Sequence, residues 1–309
     1  MPEAGRRRRR ARSLGASLVA ASLVAAGLLL AGCDTDGAVA PRPSASVSPR
    51  PESAWDIAPD SLAAVGDSIT RGFDACAVLA DCPEVSWATG SRPEVDSLAV
   101  RLLGPDATRH SWNHAVSGAR MADLAGQMER AAAHRPALVT VLMGANDACR
   151  DTVAGMTSVA DFRAGFERAL GTLRQASPGS RVFVAGIPDL MRLWEQGRTD
   201  PLAGRVWELG VCPTMLGDAD ATDPAATERR ETVGRRVEDF NRVLEEVCAE
   251  DRLCRTDGGA VHDDTFGPES LSRWDRFHPS VTGQARLAEI AYRAVTARDD
   301  RADGAASAP

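Results

Sequence analysis

The sequence predicts an α/β fold in which helices cover both faces of a central parallel sheet. Short apolar runs alternate along the chain with longer segments whose apolar residues recur at helical spacing, and this alternation is typical of parallel sheets. The run 137–143 is apolar except for Thr140, as expected for a strand buried on both faces. Polar, glycine-containing turns follow three of the runs, at the strand ends where such folds bind their ligands.

Four strands and five helices are predicted between residues 62 and 297. The strands are short apolar segments: 62–65, 111–116, 137–143 and 181–187. The helices have apolar residues every three or four positions: 96–103, 121–133, 159–176, 227–248 and 280–297. The stretch 189–226 has no regular period, so we expect it to be irregular and to supply substrate-side loops. Its Trp194 and Trp207 either line an acyl or leaving-group pocket or pack beneath the loop.

Residues 1–32 are predicted to be an export signal. Arginines at positions 6–10 and 12 precede an apolar segment, 14–30, and small residues lead up to Cys33, which is the pattern of a cleaved signal. The sequence Leu30-Ala-Gly-Cys33 resembles the bacterial lipoprotein signal, and that resemblance implies a diacylglyceryl group on Cys33. An ordinary secretory signal is the alternative. A membrane-spanning helix is less favoured, because the segment is short and rich in small residues.

The rest of the chain divides into a tether, a domain and a tail. Residues 33–59 are rich in Pro, Ser, Ala and Asp, which predicts a flexible tether that begins at the lipidated Cys33. The folded domain is expected at 60–298, and the tail 299–309 is expected to be disordered. We therefore expect a lipoprotein on the extracytoplasmic face of the cell membrane, or a protein released to the medium if the tether is cut.

The charge balance argues against a nucleic-acid partner. All 36 basic residues are Arg, against 43 acidic residues. Removal of 1–32 leaves 30 Arg and 42 acids, a net charge of about −12. An acidic protein is poorly suited to bind nucleic acid or an anionic membrane through charge, so the lipid chains on Cys33 would supply the membrane attachment. We expect a monomer.

Six further cysteines are expected to form disulfides, because their number is even and the chain is predicted to be exported. They are Cys76, Cys82, Cys149, Cys212, Cys248 and Cys254. Six cysteines allow fifteen pairings, and the sequence does not decide among them. The short spacings favour Cys76–Cys82 and Cys248–Cys254, which leaves Cys149–Cys212 to close a long loop. A metal site is not expected, because there is no paired C-x-x-C motif and the five His are scattered.

Four polar blocks are predicted to meet at one edge of the sheet: Gly66-Asp67-Ser68, Ser117-Gly118, Gly144-Ala-Asn146-Asp147 and Asp275-Arg-Phe-His278. A serine hydroxyl becomes a good nucleophile only when a base takes its proton. His278 is a suitable base, because free histidine titrates near neutrality. Asp275 lies three residues earlier, close enough to orient the imidazole. Ser68, His278 and Asp275 are therefore the candidate catalytic residues.

An oxyanion formed by attack of Ser68 would need hydrogen-bond donors. The backbone N–H groups of Ser68 and Gly118 and the side-chain amide of Asn146 are the candidates. Glycine at 118 would let the backbone approach the substrate closely. Asp67 is expected to brace the turn by hydrogen bonds rather than to transfer a proton. Among the other histidines, His114 is the one near a block in sequence.

In order and spacing, the four blocks resemble the SGNH/GDSL hydrolase family, and the resemblance extends over 60–298. It rests on Gly66-Asp-Ser68, Asn113-His-Ala-Val-Ser-Gly118-Ala119, Gly144-Ala-Asn-Asp147 and Asp275-x-x-His278-Pro279. The resemblance implies a three-layer α/β/α sandwich, flavodoxin-like, and ester hydrolysis without a metal or cofactor. It also implies that Ser68 is the nucleophile, His278 the base and Asp275 its partner, with Ser68, Gly118 and Asn146 as the oxyanion hole.

The expected activity is hydrolysis of a lipid or small acyl ester through an acyl-enzyme. The segment Val85-Ser-Trp-Ala-Thr-Gly90 and the position of Cys149 also resemble the phospholipase B-like branch of the family. Two other functions stay open: removal of acetyl groups from polysaccharide, and a non-catalytic surface lipoprotein that binds a ligand. A deep apolar pocket would favour acyl chains, whereas an open cleft with exposed aromatic rings would favour sugar.

Overall fold

The structure, a computed structural model, describes Trp55 and residues 57–298. The predicted export signal, the lipidation site Cys33, most of the tether and the tail 299–309 lie outside these residues, so the predictions made for them stay predictions. The described residues form one sheet of five parallel strands: β1 (Leu62–Gly66), β2 (Ser111–Asn113), β3 (Leu138–Leu142), β4 (Arg181–Val184) and β5 (Cys254–Thr256).

The described residues also form twelve α-helices, several of a single turn. They are α1 (Ser68–Arg71), α2 (Leu98–Leu103), α3 (Ala107–His110), α4 (Leu124–Ala132), α5 (Ala145–Ala148), α6 (Val159–Ala176), α7 (Leu190–Gly197), α8 (Pro201–Trp207), α9 (Pro213–Leu216), α10 (Pro224–Ala249), α11 (Ala260–Asp263) and α12 (Val281–Thr296). Short 3-10 helices lie at Pro83–Val85, Gly104–Asp106, Met121–Asp123, Val153–Gly155 and Pro268–Ser270.

Two apolar cores, one on each face of the sheet, make the three layers. Alternate residues of a strand point to opposite faces, so Ala63 and Val65 pack with α4, α6 and α10, while Leu62 and Ala64 pack with α2 and α12. Every residue of β1 and β3 is buried, which is why these strands are apolar almost throughout. The predicted α/β/α fold with a central parallel sheet is confirmed.

The strand order is β2-β1-β3-β4-β5, so the chain moves outward from β1 in one direction and from β3 in the other. Ligand sites of open parallel sheets lie at such a switch point, outside the carboxyl ends of the strands. The blocks that follow β1 and β3 begin at this switch point. The sheet topology therefore places Ser68 and Asn146 where this type of fold binds its ligands.

Three predictions on secondary structure were wrong, and one of them is the strand 111–116, which ends at Asn113. The stretch 189–226 is not irregular, because it contains α7, α8, α9 and the start of α10. Its helices are short and begin at local caps such as Asp189, whose side chain accepts the N–H groups of Met191 and Arg192. The predicted strand 181–187 ends at Val184, because the N–H groups of Gly186 and Ile187 bond to side chains instead of a neighbouring strand. Strand β5 was not predicted.

Three disulfides link the six cysteines of the described domain in the pairs that the spacing favours. Cys76–Cys82 and Cys248–Cys254 each join residues six positions apart, whereas Cys149–Cys212 joins residues 63 positions apart. The long-range bridge ties the end of α5 to the residue that precedes α9. Among the described helices, none combines the length and the apolar character needed to span a bilayer.

Candidate active site

Ser68 is the first residue of α1 and directly follows the turn that ends β1. Gly66 in this turn has a φ of 150°, and a Cβ placed there would lie 2.3 Å from the backbone oxygen of Leu142 in β3. Glycine is therefore required for β1 to pair with β3 up to its last residue. The Asp67 side chain caps α1 by accepting the N–H of Ile69 at 3.0 Å.

Two buried glutamines, one from each helical layer, fix the turn 66–69 that carries Ser68. Sequence reasoning missed both. The Gln127 amide of α4 bonds to both backbone groups of Gly66, at 2.7 and 2.9 Å. The Gln284 amide of α12 donates to the Ile69 oxygen at 2.8 Å. Each glutamine is an uncharged polar residue on the buried face of its helix, and that position in the apolar pattern is the signal that could have revealed them.

Ser68, His278 and Asp275 form a continuous chain of hydrogen bonds. His278 Nε2 lies 2.8 Å from Ser68 Oγ, and His278 Nδ1 lies 2.5 Å from Asp275 Oδ2. The other oxygen of Asp275 accepts the backbone N–H groups of Phe277 and His278, at 2.9 and 3.0 Å. This geometry suits a neutral imidazole that donates from Nδ1 to the carboxylate and accepts the serine hydroxyl at Nε2.

The Asp275 carboxyl is held in its charged form. Burial alone would raise its pKa, but the hydrogen bond and electrostatic attraction of His278, together with the two backbone N–H groups, hold the pKa of Asp275 below its usual range. The segment is fixed from outside as well, because Trp207 Nε1 donates to the Asp275 backbone oxygen at 3.0 Å. A charged, immobile Asp275 can keep the imidazole in one tautomer and one orientation.

Neither tryptophan of the stretch 189–226 lines the apolar cavity that α7 and the segment before α12 form near the site. Trp207 is 1% exposed and supports the Asp275 backbone. Trp194 donates to the Ala219 oxygen at 2.9 Å and packs under the guanidinium of Arg230. Of the two roles considered for them, the structure places both in packing.

The loops after β2 and β3 meet beside the serine turn. The Asn146 side-chain amide donates to the Ala119 oxygen at 3.0 Å, one residue beyond Gly118. An amide has two N–H bonds, so a second donor remains for a ligand. Gly118 is exposed with a φ of 80°, and a Cβ there would meet no protein atom within 4 Å. Its backbone conformation, rather than crowding by protein atoms, therefore explains the glycine.

The buried side chain of Asp147 links the segments next to these loops by hydrogen bonds. Its carboxyl is 1% exposed and accepts the N–H of Met121 at 2.9 Å and the hydroxyl of Thr157 at 2.7 Å. Burial raises the pKa of Asp147. Because these contacts reach segments on both sides of α5, Asp147 helps to fix the position of its neighbour Asn146.

Asp67 is fully buried, and its second oxygen has no hydrogen-bond partner among the described residues. Burial raises the pKa of Asp67 from 3.8 to about 7. The folded protein therefore binds this proton more tightly than the unfolded chain does. The contribution of this proton to stability is complete below about pH 4 and is lost as the pH rises through about 7.

The Asp67→Asn variant should lose this part of the pH dependence, because an amide stays neutral. We expect the wild type to lose about 3 kcal/mol more unfolding free energy than the variant between about pH 5 and about pH 8. Urea denaturation at the two pH values measures the difference. Asp239→Asn, on a half-buried side chain paired with Arg242 at the protein surface, is the control for removal of one carboxyl. Equal losses in wild type and Asp67→Asn would show that Asp67 does not hold the proton.

His114 does not contact the serine–histidine pair. Its ring lies 5.2 Å from the ring of His134, which in turn stacks on Trp112 at 4.3 Å. Partial burial, together with the positive charges of His134 and Arg130, lowers the pKa of His114. The residue belongs to a ring stack beside β2 and has no part in the candidate site.

One group of potential metal ligands occurs among the described residues: Cys76, Cys82 and Glu84. The two cysteines are joined to each other as a disulfide, and a metal ligand would have to be a thiolate. In its oxidised form this group therefore offers a single carboxylate, which does not make a site.

An apolar cavity lies close to the serine–histidine pair, although neither Ser68 nor His278 lines it. Part of its wall consists of sequence neighbours of the candidate residues: Ile69 beside Ser68, Ala145 beside Asn146, and Phe277 and Pro279 beside His278. The rest comes largely from apolar residues of α7 and of the segment before α12, among them Leu190, Leu193, Phe266 and Leu271. Helix α7, which sequence reasoning missed, thus forms part of the wall of the cavity.

Several solved structures resemble this chain. They include TesA, at 20% identity over 76% of this chain and 97% of that one, with a TM-score of 0.44. An extracellular lipase from Streptomyces rimosus has 17% identity over 75% and 99%, with a TM-score of 0.45. A family 3 carbohydrate esterase from Clostridium thermocellum has 15% identity over 76% and 94%, with a TM-score of 0.44.

A search of curated proteins found no match for this chain. A model of the GDSL-like lipase/acylhydrolase family matches residues 64–286, which is more than two thirds of the 309 residues. The matched region contains Ser68, Gly118, Asn146, Asp275 and His278. With the confirmed α/β/α fold, this match shows that the chain belongs to the GDSL-like lipase/acylhydrolase family.

Proposed function

We propose that this protein is a serine esterase that cleaves carboxylic esters through an acyl-enzyme on Ser68. The observation that carries the proposal is the hydrogen-bonded chain from Ser68 Oγ through both ring nitrogens of His278 to Asp275. Its three members come from sequence positions up to 210 residues apart. That arrangement suits nucleophilic catalysis, whereas a protein that only binds a ligand has no need of it.

In the proposed first step, Ser68 Oγ bonds to the ester carbonyl carbon while His278 Nε2 takes the hydroxyl proton. The carbonyl oxygen becomes an oxyanion and accepts hydrogen bonds from the N–H groups of Ser68 and Gly118 and from the Asn146 amide. The bond to the leaving oxygen then breaks, and His278 returns its proton to that oxygen. An alcohol departs, and the acyl group remains on Ser68.

In the second step, a water molecule takes the place of the alcohol. His278 removes a proton from the water as its oxygen attacks the acyl carbon. The bond to Ser68 Oγ breaks, and the proton on His278 returns to the serine. The carboxylic acid leaves, and the site regains its starting state, with Asp275 charged throughout.

The cavity favours acyl esters of lipid type over sugar acetates. Its wall is predominantly apolar and includes the sequence neighbours of Ser68 and His278, so an acyl chain could enter it while its carbonyl carbon lies at the serine. A sugar site would be expected to present exposed aromatic rings. Among the described residues, the exposed large hydrophobic side chains are all aliphatic. We therefore propose a lipid or medium-to-long acyl ester as the substrate.

The cellular setting of the enzyme is part of the same proposal. We propose export by the signal 1–32 and anchoring through lipid on Cys33, which would hold the cavity near membrane lipids. The segment 85–90 and the position of Cys149 support a phospholipase B-like substrate preference. Hydrolysis of carbohydrate O-acetyl esters is the alternative activity. The substrate series described next distinguishes it from hydrolysis of longer acyl esters.

The test combines covalent labelling with a substrate series. The full-length chain is treated with a fluorophosphonate probe, and the labelled peptide is identified by mass spectrometry. Hydrolysis of p-nitrophenyl esters from acetate to palmitate is then measured. We expect the label on Ser68 and kcat/KM that rises with chain length. Activity on acetate alone would favour the carbohydrate esterase. No label and no hydrolysis would favour a non-catalytic protein.

A further inference from the structure

Asp74 is a third carboxyl in the immediate neighbourhood of the Ser68–His278–Asp275 chain. It is 2% exposed and lies after α1, two residues before the loop that the Cys76–Cys82 disulfide closes. Its carboxyl is within hydrogen-bonding reach of the Asp275 carboxyl. None of the four blocks includes it, and the proposed mechanism has so far given it no role.

The Asp74 backbone is anchored to the segment that carries the histidine. The Ser272 hydroxyl donates to the Asp74 backbone oxygen at 2.6 Å, and the Ser272 N–H donates to the His278 oxygen at 2.7 Å. The N–H of Asp74 bonds to the Ala80 oxygen at 3.0 Å. These contacts hold the Asp74 backbone between that loop and the turn 272–278.

The Asp74 side chain is fixed by the same loop. One of its oxygens accepts the N–H of Leu79. Asp74 and Leu79 have φ values of 55° and 53°, a left-handed conformation that costs a leucine more than an aspartate. The loop thus adopts an unfavourable backbone at Leu79, and this conformation accompanies the hydrogen bond to Asp74.

Two buried carboxyl groups within hydrogen-bonding reach need one proton between them. Asp275 already accepts three donors, from His278 Nδ1 and two backbone N–H groups. Asp74 accepts one, from Leu79. The negative charge is therefore better stabilised on Asp275, and the proton belongs on Asp74. Consistently, burial and the charge of Asp275 raise the pKa of Asp74.

We propose that Asp74 is a positioning residue, whose protonated carboxyl donates a hydrogen bond to Asp275 and so holds that carboxylate against His278. This proposal rests on the proposed esterase function. It adds Asp74 as a fourth residue to the hydrogen-bonded chain of Ser68, His278 and Asp275. Asp74 is almost fully buried, so we expect it to act on the reaction through Asp275 and His278 rather than by contact with the ester.

Among the described residues, two charged groups act most strongly on Asp74. Asp275 and His278 act from the turn 272–278. On the loop itself, Asp81 is paired with Arg71 at 3.1 Å, and beyond Asp275, Arg276 is paired with Asp200 at 3.4 Å. Because these two pairs are each neutral overall, the proton on Asp74 is governed mainly by the Asp275–His278 pair.

The test compares Asp74→Asn with Asp74→Gly in the full-length chain. An asparagine amide can still donate to Asp275 and accept from Leu79, and both replacements tolerate the left-handed backbone. We expect Asp74→Asn to keep kcat close to the wild-type value. Asp74→Gly should lower kcat about 10- to 100-fold, the loss expected for one hydrogen bond to a charged group, with a smaller change in KM.

The pH profile tests where the proton lies. If Asp74 is neutral, Asp74→Asn changes no charge, and the acid limb of kcat/KM stays at the wild-type pH. If Asp74 is instead charged, the variant removes a negative charge near the imidazole, and the limb moves to lower pH by about one unit or more. That shift, or a wild-type kcat in Asp74→Gly, would overturn the proposal.

Asp96 offers a matched control. It is an aspartate with a φ of 48°, and its half-exposed carboxyl is paired with Arg101 at 3.2 Å ahead of α2. Asp96→Asn and Asp96→Gly make the same chemical and backbone changes away from the candidate site. Both should leave kcat and its pH profile unchanged, so a fall in kcat in Asp96→Gly as large as in Asp74→Gly would contradict a specific role for Asp74.

A readout that needs no substrate separates this proposal from the esterase proposal. The proton between His278 Nδ1 and Asp275 can be followed by its low-field NMR resonance in the full-length chain. We expect the resonance to persist in Asp74→Asn and to broaden or vanish in Asp74→Gly. Its persistence in Asp74→Gly would overturn the role of Asp74. Absence of ester hydrolysis in the wild type would instead contradict the esterase proposal.

Discussion

The Ser68→Ala variant is expected to lower kcat on p-nitrophenyl esters by about 10⁴-fold or more, the scale of effect seen when a serine nucleophile is removed. Without Ser68 Oγ, no acyl-enzyme can form, and the remaining oxyanion donors can assist only direct attack by water. KM should change little, because the cavity is left intact. Steady-state kinetics on an ester that the wild type cleaves measures the effect.

The control for Ser68→Ala is Ser111→Ala. Ser111 is a half-buried serine at the amino end of β2, at the opposite edge of the sheet from the candidate site, so its loss should leave kcat unchanged. His278→Ala should lower kcat to a similar degree, and the double variant should be little worse than either single one, because the two residues act as a unit. Activity of Ser68→Ala close to that of the wild type would exclude the acyl-enzyme route through this residue.

The second large effect is expected from loss of the Cys149–Cys212 disulfide. A bridge between residues 63 positions apart restricts the unfolded chain strongly, and the chain-entropy relation gives about 4 kcal/mol for a loop of this length. The double variant Cys149→Ala/Cys212→Ala should therefore lose about 4 kcal/mol of unfolding free energy. Urea denaturation under non-reducing conditions measures this loss.

The Cys248–Cys254 bridge provides the comparison. It joins residues six positions apart, for which the same relation gives about 2 kcal/mol. The double variant Cys248→Ala/Cys254→Ala should thus lose about half as much stability. Equal losses in the two double variants would mean that native contacts, rather than the entropy of the unfolded chain, set the contribution of each bridge.

Activity should survive loss of the long-range bridge at temperatures where the variant stays folded. Thr214 and Arg150, next to the bridged residues, also exchange hydrogen bonds at 3.1 and 3.3 Å, and these contacts remain without the sulfur atoms. Asn146 should therefore keep its place. A large fall in kcat in the folded variant would show that the disulfide itself positions Asn146.

Much of the fold could be predicted from the sequence, because its core strands are buried on both faces. The run 137–143 has to be apolar to lie between two helical layers, and β3 lies within it. Helix α6 coincides with the predicted 159–176, since its buried residues recur at the helical period. The edge strand β5 has three half-buried residues, so its sequence carries little of that apolar signal.

Some residues of the candidate site could likewise be predicted from the sequence, and others could not. Ser68, Gly118, Asn146, Asp275 and His278 lie in turns next to recognisable elements, so their sequence blocks could be identified and ordered. Gln127 and Gln284 leave only an indirect sign, as polar residues on the buried faces of their helices. Asp74 leaves none, because it acts through contacts with residues far away in the chain. Asp74, for example, meets Ser272 across 198 positions, and nothing near residue 74 in the sequence indicates that partner.

The sequence by itself determined the α/β class, the parallel sheet, the favoured disulfide pairs and the residues able to form a serine–histidine–aspartate chain. These properties follow from local apolar periodicity and from short segments whose chemistry depends on neighbouring residues. Only the tertiary structure decided the distances within that chain, the apolar cavity beside it and the pairing of the Asp74 and Asp275 carboxyls. Those features depend on how the helices of the two layers pack against the sheet. Polar contacts between residues far apart in the chain produce no periodic pattern in the sequence.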